Sequence, residues 1–272
     1  MRHGTFSFTA RAPLAGNGSL IRSGARLLLI SGMILGASLF AQAQEAGGGG
    51  RGRPAPTVAP LAFKVDWVQP PSQADTSNGK RYSPVQENIA DPNVEIKFYG
   101  AAKEILTTGA PGSGVTPYGV WSGTATAPFA ITFRQKNNYV DLTGLANIRA
   151  YIKTSGFHVA RPVVKLADGT MMVADLAFQS VPMLTMSEFS LTDVRWIKLD
   201  PEKVVTVNGG AGNANPNNEI WVRNPDLSKV DEIGFVDLMP GSGHGTGGWI
   251  QLGGIEVYGK AVPRDAVSSK VR

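Results

Sequence analysis

The chain has 272 residues, a formal charge of +5 and no cysteine. That length admits one sandwich domain with extensions, and the missing cysteine excludes disulfides, a thiol nucleophile, thiolate zinc ligation and a lipid-modified cysteine. Between residues 54 and 259 there are 16 Lys and Arg against 19 Asp and Glu, so the basic excess lies at the two ends. The folded part therefore gives no charge argument for nucleic acid.

Taken in chain order, Arg2, Arg11, Arg22 and Arg26 precede an uncharged apolar run of 14 residues from Leu27 to Phe40, and no acidic residue occurs before Glu45. As a helix that run would reach only about 21 Å, short for a membrane span. Ala41-Gln42-Ala43 then places small residues at the −3 and −1 positions of a cleavage site, so residues 1–43 read as a signal peptide. The alternative is an uncleaved N-terminal anchor. Both place the domain outside the cytoplasm; cleavage implies a secreted or periplasmic protein with no stable membrane insertion.

Residues 44–87 combine a Gly/Pro-rich linker with an extended N-terminal segment in which Phe63–Val68 has strand character. From residue 88 to 260 short apolar segments alternate with turn signals. Val94–Phe98, Phe129–Phe133 and Ile148–Ile152 each alternate with period two, as half-buried strands do. Val163–Leu166 and Met171–Val173 flank Ala167-Asp168-Gly169-Thr170, a hairpin signal whose two-residue turn predicts φ > 0 at both central residues. Further strands are predicted at 196–199, 204–207, 219–222, 233–236 and 254–258, and residues 261–272 form a flexible tail. Many short strands with almost no helical period outside the leader indicate an all-β sandwich or barrel.

Trp121-Ser122-Gly123, then Tyr139–Leu145, then Val230–Phe235 with Trp249–Tyr258 resemble galactose-binding-like jelly-roll β-sandwiches, a group that includes many carbohydrate-binding modules. The phrases DLTGLA, RPVVKLADGT and NPDLSKVDEIGF further resemble exported bacterial proteins. The resemblance spans about residues 88–260 and implies a jelly-roll fold, sugar held by exposed aromatics and loop polar groups, and a common structural calcium. It supplies no catalytic residue.

Candidate site residues come from chemistry. Tyr118 and Trp121 flank a Gly/Pro-rich loop, and Trp221 is followed by Arg223 on the same side of a strand. An aromatic ring packs on the apolar face of a pyranose while amides and charges hold its hydroxyls. Against this, the large apolar rings of Trp121, Trp196 and Trp249 are the kind that more often anchor a core. His158, between Phe157 and Val159, is expected to turn outward beside Arg161, where the two could contact a polar ligand or simply be solvated.

Gly243–Gly248 matches G-x-G-x-x-G, but a strand rather than a helix follows it, so the nucleotide reading fails and His244 and Trp249 become loop-tip candidates. Two separated histidines give no transition-metal site. The oxygen-rich stretch 208–219 lacks the spaced acids of a dedicated calcium loop, so no cofactor is assigned and a structural calcium stays open. Asp141, Asp175, Asp193, Asp237 and Glu256 supply carboxylates, but no spacing singles out a catalytic pair. The leading reading is an exported non-catalytic carbohydrate-binding sandwich. A polysaccharide-degrading enzyme on the same fold and a surface interaction protein are its rivals. Exposed aromatics in a row would favour the first, and a cleft with paired carboxylates the second.

Overall fold

The computed structural model describes residues 58–109, 118–123, 125–156, 158–179, 183–209, 219–238 and 248–264, all within the compact unit Arg53–Arg272. Its first strands are β1 (Leu61–Val65), β2 (Val94–Gly100), β3 (Thr107–Thr108), β4 (Val120–Trp121), β5 (Phe129–Gln135) and β6 (Asn138–Asp141). Next come β7 (Asn147–Ser155), β8 (Val159–Leu166), β9 (Met171–Ala174), β10 (Phe178–Gln179), β11 (Thr185–Ser190) and β12 (Trp196–Asp200). The last are β13 (Val205–Thr206), β14 (Trp221–Val222), β15 (Val230–Asp237), β16 (Trp249–Tyr258) and β17 (Lys260–Pro263). One α-helical turn, α1 (Ala102–Ile105), follows β2.

The smaller sheet runs β11-β7-β16-β4-β3, with β1 against the far half of β16. The larger runs β13-β12-β9-β8-β15-β5-β2, with β6 and then β17 joined at the end of β15. Every strand pair is antiparallel. The fold is thus the all-β sandwich that the alternating segments predict, and its two C-terminal long strands, β15 and β16, belong to opposite sheets.

The core fills the space between the sheets. Phe129, Ile131 and Phe133 of β5, with Ile233 and Phe235 of β15, meet Ile148, Ala150 and Ile152 of β7. On β16 the buried set is Ile250, Leu252, Ile255 and Val257. The step from 252 to 255 breaks strict alternation, and the strand pairing shifts register there; Gly253 and Gly254 form a β-bulge that turns the second half of the strand back onto the core. Trp67 closes that region, packing edge-on to Phe133 with ring centres 5.9 Å apart and donating Nε1–H to the Gly253 carbonyl at 2.9 Å.

The ordered sheets extend beyond residues 88–260. β1 lies in the stretch read as linker and extended segment, and β17 pairs with β6 inside the stretch read as tail. The β8–β9 hairpin is real, but its turn differs from the expected one. Gly169 has φ 90° while Asp168 is absent from the left-handed region. The Gly169 amide donates to Leu166 O at 2.9 Å, and Asp168 Oδ1 accepts the Thr170 amide at 2.8 Å. A turn capped by a single left-handed glycine satisfies the twist with only one residue at positive φ.

Candidate functional site

Side chains that point away from the core on the smaller sheet include Trp249 on β16, Trp121 on β4 and Lys153 on β7. Gln251 pairs with Trp121 on one side and Lys153 on the other, and Trp249 pairs with Ser155. The two indoles, both half-buried, meet edge to face with centroids 6.3 Å apart and planes 70° apart. The Arg81 guanidinium lies 4.2 Å from the centre of the Trp121 ring, and Lys153 Nζ lies 5.3 Å from that of Trp249. A cation over the negative face of an indole is held by the ring quadrupole and keeps its hydrogen-bond donors free.

Arg81 also forms one wall of an adjoining cleft of about 430 Å³, lined further by Tyr118, Tyr82, Lys80, Gln73 and Thr108 among others. Its floor is set by a buried amide pair. Asn88 Nδ2 donates to Gln73 Oε1 at 2.8 Å and Gln73 Nε2 donates to Asn88 Oδ1 at 3.2 Å. Thr108 Oγ1 donates to the same Gln73 Oε1 at 3.1 Å, with the Tyr118 hydroxyl at 3.4 Å. Buried amides keep such geometry because leaving one unpaired costs more than the bond gains. At the rim Asp75 accepts from the Ser77 hydroxyl at 2.6 Å and from Lys80 at 3.3 Å, while the Tyr82 hydroxyl donates to Asp75 O at 2.9 Å. The Ser77 hydroxyl and then the Ser77 amide hold the Asp75 carboxyl below its usual pKa.

A second aromatic site lies elsewhere. Trp221, 42% exposed, and Arg223 line a groove of about 610 Å³ with Arg195, Trp196 and Val194. Arg195 lies 4.8 Å from the Trp221 ring centre, but its Nε and its backbone amide are both held by Asp175, at 2.7 and 3.1 Å.

The structure therefore brings Tyr118, Trp121 and Trp249 together and sets Trp221 with Arg223 apart from them. Trp196, 1% exposed, is the core anchor among the tryptophans, together with Trp67. The outward orientation expected of His158 is overturned: it is 1% exposed, with Nδ1 2.6 Å from Oδ2 of fully buried Asp237. A carboxylate on the inner side of β15 needs a partner there, and Gly248 leaves room for the ring, since a Cβ at 248 would sit 2.1 Å from His158 Cδ2. Arg161 does not join His158. It projects from the other face of β8, opposite Val236, and donates Nε and Nη2 to the Ala174 carbonyl at 2.8 and 2.5 Å. Burial lowers its pKa against the pull of Glu219 and Asp175. His244 lies outside the described residues.

Arg81, Lys153, Gln73 and Tyr82 escape a sequence reading. Arg81 stands in a Pro/Ser/Asn/Gly stretch with no periodicity, and only the fold carries it to an indole 40 positions away. Lys153 alone had a legible signal, an outward position on a clearly alternating strand. Among the described residues no three His, Cys, Asp or Glu side chains gather as metal ligands, and no helix is long and apolar enough to cross a membrane.

No protein-family profile matches the chain, and no curated protein matches it. Among solved structures it is similar to the family 11 carbohydrate-binding module of the cellulosomal cellulase Lic26A-Cel5E of Clostridium thermocellum, at 12% identity over 66% of this chain and 95% of that one, TM-score 0.36. The family 11 module from Clostridium thermocellum in complex with a β-1,3-1,4-mixed-linked tetrasaccharide is similar at 13% identity, over 68% and 98% of the two chains, TM-score 0.35. An agarase, AgWH50C, is similar at 10% identity over 76% of this chain but only 25% of its own, TM-score 0.37. These three solved structures are two carbohydrate-binding modules and an agarase, while the β-sandwich itself rests on the strand pairing described above.

Proposed function

We propose that the chain is an exported, non-catalytic carbohydrate-binding β-sandwich whose ligand lies on the Trp121–Trp249 face and in the Tyr118 cleft. The observation that carries this reading is the pair of half-buried indoles, fixed edge to face at the border of a cleft floored by hydrogen-bonded amides. A pyranose offers an apolar face to a ring and hydroxyls to amides and cations, and these surfaces stand side by side here. Non-catalytic binding is favoured because no Asp or Glu lines the cleft among the described residues, whereas glycoside hydrolysis through paired carboxylates needs two. Export is supported by the four leader arginines, the apolar run and Ala41-Gln42-Ala43.

The test is a glycan array probed with the mature chain from Gln44 onward, with and without a calcium chelator. Retention of a glycan is expected, and Trp121→Ala is expected to weaken it about tenfold or more, about 1.4 kcal/mol. Thermal unfolding of that variant is expected to stay cooperative, because the ring is only half-buried. No retained glycan in either condition would refute the proposal; retention lost only with the chelator would assign a calcium.

A further inference from the structure

We infer that the saccharide taken by this site carries negative charge, as a uronate carboxylate or a sulfate ester, an inference that rests on the carbohydrate-binding reading above. The basis is how the cations of the domain are partnered. Arg149 pairs with Glu188, Arg195 with Asp175, Lys165 with Glu232, Arg134 with Asp231, Lys64 with Asp66 and Lys80 with Asp75, at 2.7 to 3.3 Å. Arg81 and Lys153 have no carboxylate within 4.0 Å and no hydrogen bond among the described residues; each lies over an indole instead.

Arg223, Lys198 and several other cations also make no ion pair among the described residues, but of the cations without one Arg81 and Lys153 are the two that lie over an indole, and they border the proposed ligand surface. An arginine held over an indole is already ordered, and its planar fork of N–H donors matches a carboxylate or sulfate in bidentate fashion. Lys153 adds a point charge on the neighbouring ring. The acid at the cleft rim, Asp75, is already engaged by the Ser77 hydroxyl and Lys80, and no other Asp or Glu is among the described residues at the cleft, although the domain as a whole is net negative. A neutral sugar could offer these cations only hydroxyl acceptors, whereas a carboxylate or sulfate adds charge-assisted hydrogen bonds to each.

The experiment titrates the mature chain with three oligosaccharides of equal length: an oligogalacturonate, a sulfated galactan fragment and a neutral β-glucan fragment. At least one anionic probe is expected to bind about tenfold tighter than the neutral one, with the preference shrinking as NaCl rises from about 50 to about 500 mM. Arg81→Gln is expected to remove most of that preference, Lys153→Gln part of it, and Trp121→Ala to weaken binding of every probe that binds. Whichever anionic probe wins identifies the group. Equal, salt-insensitive binding of the neutral and anionic probes would overturn the inference and leave carbohydrate binding standing. No binding of any probe would overturn both, and a salt-sensitive affinity for the anionic probes that Arg81→Gln and Trp121→Ala leave unchanged would place the anion elsewhere and overturn the inference.

Discussion

On the outer face of the larger sheet Lys165 reaches Glu232, which is 3% exposed, at 3.3 Å and the Tyr99 hydroxyl at 3.0 Å. Tyr99 and Thr132 each donate a hydroxyl to Glu232 Oε2, at 2.8 and 2.6 Å. Beside them Arg134 is held by Asp231 and Glu95, and Arg264 by Asp231. On the outer face of the smaller sheet Lys153 and Arg81 lie over indoles with no acid attached. Both faces use aromatics and cations. Where carboxylates close the set, the group is satisfied within the protein and acts on stability; where they are missing, the donors remain available to a ligand. An apolar patch of Ala130, Val163, Met171, Val173, Ile197, Leu199, Val204 and Val236 continues the larger face, and it too is buried.

The sharpest way to break this contrast is Glu232→Ala. It strands the buried Thr132 hydroxyl together with half-buried Tyr99 and Lys165, and leaving these donors unpaired at once costs about 3 kcal/mol. A fall of roughly 6–12 °C in Tm is expected for a domain of this size. Saccharide affinity on the opposite sheet is expected to stay unchanged. A Tm within about 1 °C of the parent would show that the network is not a stabilising unit.

A smaller effect is expected with pH. Burial raises the Tyr99 pKa, with the Lys165 hydrogen bond opposing and the Glu232 bond reinforcing. Burial lowers that of Lys165, but the Tyr99 hydrogen bond and the Glu232 charge outweigh it, so its net shift is also upward. Both groups therefore bind protons more tightly in the folded state, and their stabilisation is complete below their unfolded pKa values, about 10 and 10.4, and lost as pH rises through the folded ones. Urea-unfolding free energy is expected to be level from neutral pH to about pH 9 and to decline above about pH 10, less steeply in Glu232→Gln. An identical decline in the variant would locate the alkaline sensitivity elsewhere.

Much of the architecture was legible because β2, β5 and β7 alternate cleanly. His158 was misplaced because the core face was assigned to Val159, whereas Ala160, 0% exposed, takes it and the same alternation carries His158 inward to Asp237, 79 positions away. Tyr118, Trp121 and Trp249 were legible as aromatics but not as neighbours. Their meeting depends on β4 lying beside β16, a pairing of residues about 130 apart that no local pattern encodes.

Trp221 gives the mildest test of the contrast, because it repeats the indole–cation arrangement with the carboxylate restored. Arg195 has a side-chain exposure of 73%, so its pair with Asp175 is solvent-screened, and Arg195→Gln is expected to change stability by no more than about 0.5 kcal/mol. Its guanidinium is already engaged by Asp175, so the same variant is expected to leave affinity for an anionic saccharide within about twofold. Arg81→Gln, which removes a cation without a carboxylate, is expected to lower it several times more. If Arg195→Gln and Arg81→Gln weakened anionic binding equally, pairing by a carboxylate would not distinguish a structural cation from a binding one, and the Trp221 groove, where Arg223 has no ion pair among the described residues, would rank beside the Trp121–Trp249 face.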